Sequence, residues 1–269
     1  MPRPELGLLH PGAMGASLGA ALLHNADAVL WASAGRSAQT RARADEAGLT
    51  EVPDLPALVA RARSIVSICP PHAAEDVARQ VAEHADAGLD LYIDANAVSP
   101  ATVDRIAELL GPTRVVDAAV VGAPAWKPGT VLFLSGPRAD DAAALFADSV
   151  LDVRVIGDRL GQASMAKACF ALQSKALPTI WLALAEAARR YDVLDPVRAV
   201  LAEDGIDLDE QTARIERRAA PKAWRWAGEM DEAADALAAL GLPDGWSRAA
   251  AETYRRLADA QNPASTSLT

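Results

Sequence analysis

One lysine in the second half of the chain has surroundings that suit proton transfer. Lys167 lies in the segment ASMAKACFALQSK, and helical spacing places on its face Ser164, Phe170, Ala171 and Ser174. Small and apolar neighbours desolvate the amine and disfavour its charged form, which suits a general acid or base. The alternative is a lysine at a domain edge whose stem is buried while its amine reaches water. Lys175 lies on a similar face two turns on and is a second polar candidate.

A glycine-containing turn near the N-terminus has the spacing of a dinucleotide-binding loop. In HPGAMG, Gly12 and Gly15 occupy the second and third glycine positions of G-x-G-x-x-G, and His10 occupies the first. The backbone from Gly12 through Ala13 and Met14 to Gly15 would approach a pyrophosphate at the start of a helix. Pro11 favours an extended His10, so the turn should differ in detail from the usual one. An ordinary strand-to-helix turn without ligand is the alternative.

The end of the second predicted strand bears on the choice of nicotinamide cofactor. An acidic residue there would bind the ribose hydroxyls of NAD and repel a 2′-phosphate. The segment WASAGRSAQTRAR contains no acid and offers instead Ser33, Arg36, Ser37 and Arg41. Two cations and hydroxyl groups suit a phosphate, which favours NADP (NADPH) over NAD. The alternative is that these are solvated residues at the start of a surface helix.

Two further polar segments follow predicted strands at the edge where open α/β sheets bind ligands. Asp94 and Asn96 belong to DANAVSP, and Cys69 with Pro70 belongs to CPP beside the expected cofactor cleft. Ser99 is expected to cap the helix that begins at Pro100. A plain helix-start loop is the alternative interpretation of CPP.

The pattern of apolar residues predicts an α/β fold followed by an all-helical region. Short apolar runs alternate with amphipathic helical segments up to about Gly157, which favours a parallel, doubly wound sheet. The predicted strands are LGLLH, DAVLWAS, SIVSICPP, LDLYIDAN, TRVVDAAVVG, TVLFLSG and LDVRVIG. After Gly161 the chain is predicted to be helical. The predicted domains are therefore residues 1–158, which bind the cofactor, and residues 159–269, for substrate and dimerisation.

Composition limits the classes of partner. The formal net charge of -10 leaves no basic excess for nucleic acid or an anionic membrane, so a small-molecule ligand is expected. Two cysteines in apolar stretches argue against a disulfide framework and fit a cytoplasmic location. The apolar run ALPTIWLALAEAA is interrupted by Pro178 and Glu186, so no membrane span is expected. The histidines show no metal-ligand spacing, and no metal is expected.

The helical region is expected to form a homodimer. Long apolar faces such as TIWLALAEAA and AADALAALGL exceed what one small domain needs to bury, so contacts after residue 160 should join two copies. Arg225 and Glu229 are spaced as a pair on one helix face. Trp224 and Trp226 point to different faces, so one is expected in the core while the other lines a cleft or the dimer contact.

The order of motifs resembles the β-hydroxyacid dehydrogenase and 6-phosphogluconate dehydrogenase superfamily over nearly the whole chain. The motifs are HPGAMG, AGRS, CPP, DANAVSP, VVDAAVVGAP, the pair Gly129 and Thr130, and GQASMAKACF. The segments RWAGEMDEAADALAALGLPDGW and AAAETYRRLA resemble the phosphogluconate-dehydrogenase-like C-terminal domain of unassigned substrate. The resemblance implies a Rossmann-type domain, an all-α domain and a dimer with its active site between the domains.

The resemblance also implies roles for individual residues. The segment from Gly161 to Lys167 matches the pattern that ends in the catalytic lysine, which makes Lys167 the general acid or base. The segment 94–97 matches a substrate loop, which gives Asn96 a catalytic, substrate or nicotinamide contact. The segment 117–123 matches a second substrate loop that keeps Gly122. Ala171 and Ser174 follow Lys167 on the substrate-binding face.

Three positions depart from the family pattern. Ala171 stands where an asparagine is usual, Val121 replaces a loop serine, and Ala123 replaces a second glycine. Each departure removes a polar or close backbone contact, which favours a less polar or bulkier substrate. We expect a dehydrogenase or reductase that moves a hydride between NADP and a carbonyl or alcohol. The alternatives are an imine reductase, against which Lys167 argues, and a cofactor-binding protein without turnover.

Overall fold

The computed structural model describes residues 3–85 and 88–261. The chain divides into two compact units, Met1–Lys167 and Ala168–Thr269, with the division later in the chain than residue 158. The first unit combines a sheet with helices, and the second is helical. The predicted α/β fold with a following all-helical region is therefore confirmed.

The described strands of the first unit form one sheet. They are β1 Glu5–Leu9, β2 Ala28–Ala32, β3 Thr50–Val52, β4 Ser64–Ser67, β5 Leu91–Asp94, β6 Val115–Val121, β7 Val131–Ser135 and β8 Asp152–Gly157. Their order across the sheet is β3-β2-β1-β4-β5-β6-β7-β8. The pairs from β3 to β6 are parallel, as a doubly wound sheet requires.

Two features of the sheet differ from the sequence prediction. Strand β7 is antiparallel to β6, because a direct loop with no crossover helix joins them. Strand β8 is parallel to β7. Strand β3 was not predicted, since it has three residues and only Val52 is buried. The predicted parallel, doubly wound sheet is therefore confirmed except at β7, which runs antiparallel to β6.

Helices cover both faces of this sheet. They are α1 Ala13–Leu22, α2 Ala38–Glu46, α3 Leu55–Val59, α4 Ala74–His84, α5 Pro100–Leu110 and α6 Ala139–Leu145. One buried cluster contains Leu18, Trp31 and Phe146, and another contains Leu58, Tyr92 and Ile106. The strands between them are short apolar runs because they are buried on both sides. Ser99 caps α5 by accepting a hydrogen bond from the Thr102 backbone N–H, as predicted.

The remaining helical segments begin at residue 162. They are α7 Gln162–Ala171, a π-helical turn Leu172–Ala176, α8 Leu177–Arg190, α9 Leu194–Glu203, α10 Leu208–Ala219, α11 Ala223–Ala239 and α12 Gly245–Gln261. Trp226 of α11 packs edge-on against Tyr254 of α12, with ring centroids 5.2 Å apart. Trp226 is buried while Trp224 is 59% exposed, which confirms that the two rings point to different faces.

One continuous helical stretch in the described residues, Gln162–Arg190, is long and apolar enough to cross a membrane. A third of the most apolar part of this stretch is buried within the protein. A single stretch of this kind is weak evidence for a span, because a long helix of a soluble protein has the same length and composition.

Candidate functional site

The turn between β1 and α1 has the geometry of a phosphate-binding loop. A Cβ atom at Gly15 would lie 2.3 Å from the His10 carbonyl oxygen, so only glycine lets α1 approach this closely. A Cβ atom at Gly12 would meet nothing within 4 Å among the described residues, so the backbone there faces open space. No side chain in the described part of the chain caps α1, and its first turn has no acid. The backbone N–H groups at this helix start suit a pyrophosphate.

His10 adopts a left-handed backbone conformation at the first position of this turn. Its φ is 70°, so the prediction of an extended His10 was wrong. The Gly12 N–H donates to the His10 carbonyl at 2.7 Å, which closes a tight turn around Pro11. This conformation is uncommon for a residue other than glycine. Burial lowers the pKa of His10 to about 4, and the positive charge of Arg36 acts in the same direction.

The two arginines predicted to read a 2′-phosphate have different surroundings. Arg36 acts electrostatically on His10 and Cys69, so its guanidinium lies toward the glycine turn. Arg41 instead forms an ion pair with Glu51 of β3 and donates to the Ser33 carbonyl at 3.2 Å. Hydrogen bonds from Ser33 and Arg41 hold the pKa of Glu51 below its ordinary value. Arg36 is therefore better placed than Arg41 to meet an anion.

The two predicted serines of this corner have local roles. Ser37 is the N-cap of α2 and accepts a hydrogen bond from the Thr40 backbone N–H at 3.2 Å. Ser33 is buried after β2, and its N–H donates to the Val52 carbonyl at 3.0 Å. Ser37 therefore fits the alternative interpretation of a residue at the start of a surface helix. Its side chain is exposed.

Asn96 and Cys69 are joined at the ends of β5 and β4. The Asn96 side-chain oxygen accepts from the Cys69 backbone N–H at 2.6 Å, and its amide group donates to Ser67 Oγ at 3.4 Å. Asn96 is 2% exposed, so in this arrangement it positions the Cys69–Pro70 loop. Burial raises the pKa of the Cys69 thiol to about 12, which opposes a role as nucleophile.

Lys167 lies where α7 meets the end of β6. Its Nζ donates to the carbonyl oxygen of Val120, and the side chain is half-buried. Gly122 lies two residues after Val120 and has a φ of 136°. A Cβ atom at Gly122 would lie 3.0 Å from Thr130 Oγ1. The Ala123 carbonyl accepts from Thr130 Oγ1 at 2.6 Å. The structure thus brings the lysine to the loop that the sequence analysis assigned to substrate.

A buried carboxylate fixes the start of α7. Asp117 accepts hydrogen bonds from the Ser164 hydroxyl at 2.6 Å, the Ser164 N–H at 2.9 Å and the Ser135 hydroxyl at 3.0 Å. Ser135 Oγ in turn accepts from the Ala163 N–H at 2.9 Å. Burial raises the pKa of Asp117, while the hydrogen bonds from both serines oppose that rise. Since Ser164 precedes Lys167 by one turn, this network positions the lysine.

The loop that joins β6 to β7 also contacts the glycine-turn helix. The Ala125 N–H donates to Ser17 Oγ of α1 at 2.8 Å. Trp126, the next residue, is 52% exposed. Sequence reasoning missed Ser17, Trp126, Asp117 as the α7 anchor, and Glu51. A tryptophan in the segment between two candidate motifs was the available signal for Trp126.

The remaining predicted residues belong to the second unit. Ala171, at the end of α7, is buried. Ser174 lies in the π-helical turn and donates to the Phe170 carbonyl at 2.8 Å. Lys175 is buried in an ion pair with Glu229, with 2.7 Å between Nζ and Oε2. Lys175 therefore has a partner within its own unit.

Within the first unit, the candidate residues gather at one edge of the sheet. The glycine turn, the Cys69–Pro70 loop, Asn96 and the β6 end with Lys167 follow the carboxyl ends of neighbouring strands β1, β4, β5 and β6. This edge is where open α/β sheets bind ligands. The open backbone at Gly12 and the cation at Arg36 fit the phosphates of a nicotinamide dinucleotide. No group of three or more potential metal-binding side chains is found among the described residues.

One family model matches part of the chain. Residues 188–257 match the family described as Domain of unknown function (DUF1932). An uncharacterized 28.5 kDa protein encoded in the 7S RNA 5′ region of Methanothermus fervidus is 29% identical over 169 residues. That match covers 63% of this chain and 65% of the relative, which is less than two thirds of its length.

Solved structures share the fold over almost the entire chain. The conserved protein MTH1747 of unknown function, described as similar to 3-hydroxyacid dehydrogenases, has 26% identity and a TM-score of 0.66, with 96% and 98% coverage of the two chains. Mycobacterium tuberculosis 3-hydroxyisobutyrate dehydrogenase with L-serine has 18% identity and a TM-score of 0.71, with 97% and 95% coverage. A reductive aminase from Aspergillus terreus with NADPH has 16% identity and a TM-score of 0.57, with 95% and 93% coverage.

Proposed function

We propose that this chain, which belongs by its fold to the β-hydroxyacid dehydrogenase-like superfamily, is an NAD(P)-dependent oxidoreductase. The observation that carries the proposal is the position of Lys167, whose amine meets the end of β6 at the same sheet edge as the glycine turn. A proton-transferring group and a dinucleotide loop at one edge are what a dehydrogenase needs.

The proposed cofactor is NADP. The backbone from Gly12 to Gly15 would hold the pyrophosphate, and Arg36 would meet the 2′-phosphate. Two observations support this assignment, namely the open space at Gly12 and the absence of an ion-pair partner for Arg36 within residues 3–85 and 88–261. Arg41 is the weaker candidate because Glu51 already binds it.

In the proposed mechanism, Lys167 handles the proton. When bound, the nicotinamide supplies or accepts the hydride. Lys167 donates a proton from Nζ to the carbonyl oxygen in the direction of reduction and removes it from the alcohol in the direction of oxidation. The Val120 carbonyl and the Asp117–Ser164 network hold the lysine at the end of β6. The exposed Trp126 and the departures at Val121 and Ala123 favour a less polar or bulkier substrate.

Substitution at Lys167 tests this proposal. A panel of carbonyl, alcohol and imine compounds is screened with NADPH and NADH by the absorbance of the reduced cofactor. On the substrate found, Lys167→Met should lower turnover by roughly 10²–10⁴ while the affinity for the reduced cofactor persists. Lys167→Arg keeps the positive charge but cannot release its proton, so it should be nearly as inactive.

Three results would contradict the proposal in different ways. Full turnover of both variants would remove Lys167 from the chemistry. Turnover of imines alone would favour the imine reductase alternative. The chain shares its fold with a reductive aminase, so this alternative is included in the panel. Tight binding of NADPH without oxidation by any compound of the panel would favour a cofactor-binding protein without turnover.

A further inference from the structure

A second group of charged residues lies in the helical unit, separate from the residues of the proposed mechanism. Trp226 is buried, and three cations lie near its ring centroid: Lys222 Nζ at 4.9 Å, Lys175 Nζ at 5.8 Å and Arg218 Cζ at 5.9 Å. Arg225 is a fourth cation, with its Nε 3.3 Å from Glu229 Oε1. We name Lys175, Arg218, Lys222, Arg225 and Glu229 the Trp226 cluster.

The Trp226 cluster has an excess of positive charge. The other three cations each lower the pKa of Lys222, after the larger effect of its own burial. Glu229 is the carboxylate of the described residues that opposes them at Lys222, and it already contacts Lys175 and Arg225. Like charges held this close in a partly buried place destabilise the protein unless an anion accompanies them.

The cluster is also open toward solvent. The Lys175 side chain is 9% exposed and lies deepest, Arg225 is 40% exposed, and Arg218 is exposed on α10. Lys222 is half-buried, so the exposure of the cations rises from Lys175 through Lys222 and Arg225 to Arg218, which faces solvent. Guanidinium groups bind carboxylate and phosphate oxygens through paired hydrogen bonds.

The local backbone is arranged around this cluster. The π-helical turn Leu172–Ala176 carries Lys175, and the Tyr254 hydroxyl donates to the Lys175 carbonyl at 2.9 Å. Turns of this type inside α-helices occur often at functional sites. This turn carries the lysine that pairs with Glu229. Among the described residues, no carboxylate lies at ion-pair distance from Arg218 or Lys222.

We propose that the Trp226 cluster binds a multiply charged small anion through its phosphate or carboxylate groups. Arg218 and Lys222 supply the contacts, and Glu229 keeps Lys175 and Arg225 in place. The anion is a free small molecule and not an acid group of the NADPH cofactor. Its binding does not depend on the proposed oxidoreductase activity.

The experiment uses the full-length protein and three probes, which are inorganic phosphate, pyrophosphate and citrate. Titration calorimetry at constant ionic strength compares the parent with Arg218→Gln, Lys222→Gln and the control Arg217→Gln. Arg217 is adjacent, exposed and already paired with Glu210, so it matches Arg218 in charge but not in position. We expect saturable binding of at least one probe to the parent and the control. Each cluster variant should weaken it by about tenfold or more.

Thermal unfolding distinguishes a binding role from a structural one. Without anion, Lys222→Gln should melt at or above the temperature of the parent, because a like-charge repulsion is removed. The same concentration of bound probe should raise the melting temperature of the parent and of Arg217→Gln by more than that of Lys222→Gln. NADPH affinity should be equal in the parent and Lys222→Gln.

Several outcomes would overturn the proposal. They are the lack of saturable binding of any probe, equal affinities in all four proteins, and a lower melting temperature of Lys222→Gln without anion. Weaker NADPH binding by Lys222→Gln would instead show that the cluster reads the cofactor.

Discussion

Replacing Asp117 by alanine should destabilise the first unit far more than replacing it by asparagine. The carboxylate accepts three hydrogen bonds, two from Ser164 and one from Ser135, all within the protein interior. Alanine leaves the Ser164 N–H buried without an acceptor, at a cost of about 1–3 kcal/mol, and removes a bond from each hydroxyl. The total expected loss in the free energy of unfolding is about 3–5 kcal/mol.

Asparagine can keep all three contacts. Its oxygen takes the position that faces the Ser164 N–H and the Ser135 hydroxyl, and its amide donates to Ser164 Oγ after that hydroxyl rotates. The buried negative charge disappears at the same time, which offsets part of the weaker bonding, so the expected cost is about 1 kcal/mol. Asp117→Asn is therefore the matched control for Asp117→Ala.

Urea unfolding and hydrogen exchange measure this difference. The amide of Ser164 should exchange faster in Asp117→Ala than in Asp117→Asn, because its acceptor is lost only in the first. Turnover should be lower in Asp117→Ala than in Asp117→Asn, since Lys167 lies one helical turn after Ser164. Equal unfolding free energies for the two variants would refute the claim that the hydrogen bonds, and not only the volume of Asp117, fix the start of α7.

The same pair of proteins tests the protonation of Asp117. Burial raises its pKa in the folded state above the ordinary value of 3.8. Its contribution to stability is therefore complete below that value and is lost as the pH rises through the folded pKa. The advantage of the parent over Asp117→Asn should shrink as the pH rises above 3.8 and through the raised folded pKa. An advantage that grows over this range would show a lowered pKa.

The remaining predictions concern the cofactor corner. Gly15→Ala should lower the free energy of unfolding by about 1–3 kcal/mol, because the added Cβ meets the His10 carbonyl and this overpacking exceeds the helix-propensity gain of about 1 kcal/mol. Thermal unfolding measures the change, and a variant more stable than the parent would contradict the prediction. Arg36→Ala should weaken NADPH binding by about 1.5–3 kcal/mol and leave NADH binding unchanged. Arg41→Ala, whose guanidinium is bound by Glu51, should cost less than about 1 kcal/mol in the same titration, and a reversed order would exchange the roles of the arginines.

The sequence by itself predicted the features that depend on local pattern. The alternation of strands and helices, apart from the short β3, the helical second unit and the superfamily resemblance are confirmed, because apolar periodicity and glycine spacing are properties of neighbouring residues. The cap at Ser99 and the pair Arg225 and Glu229 are confirmed for the same reason. The homodimer, the cytoplasmic location and the choice of NADP stay predictions.

Only the tertiary structure decided which polar groups meet across long distances in the chain. The left-handed His10 runs against its local preference, Arg41 is bound by Glu51 of another strand, and Asn96 is buried on the Cys69 backbone. These contacts depend on the order of strands in the sheet, which local pattern does not encode.

The positions of the two candidate lysines show the same division. Spacing identified Lys167 as a helical residue among apolar neighbours, but its contact with Val120 requires β6 and α7 to meet. Lys175 has a similar local sequence, yet the π-helical turn directs it to the buried Glu229. Two lysines on one helical pattern thus acquire different roles, because packing against residues about fifty positions away decides what each amine contacts.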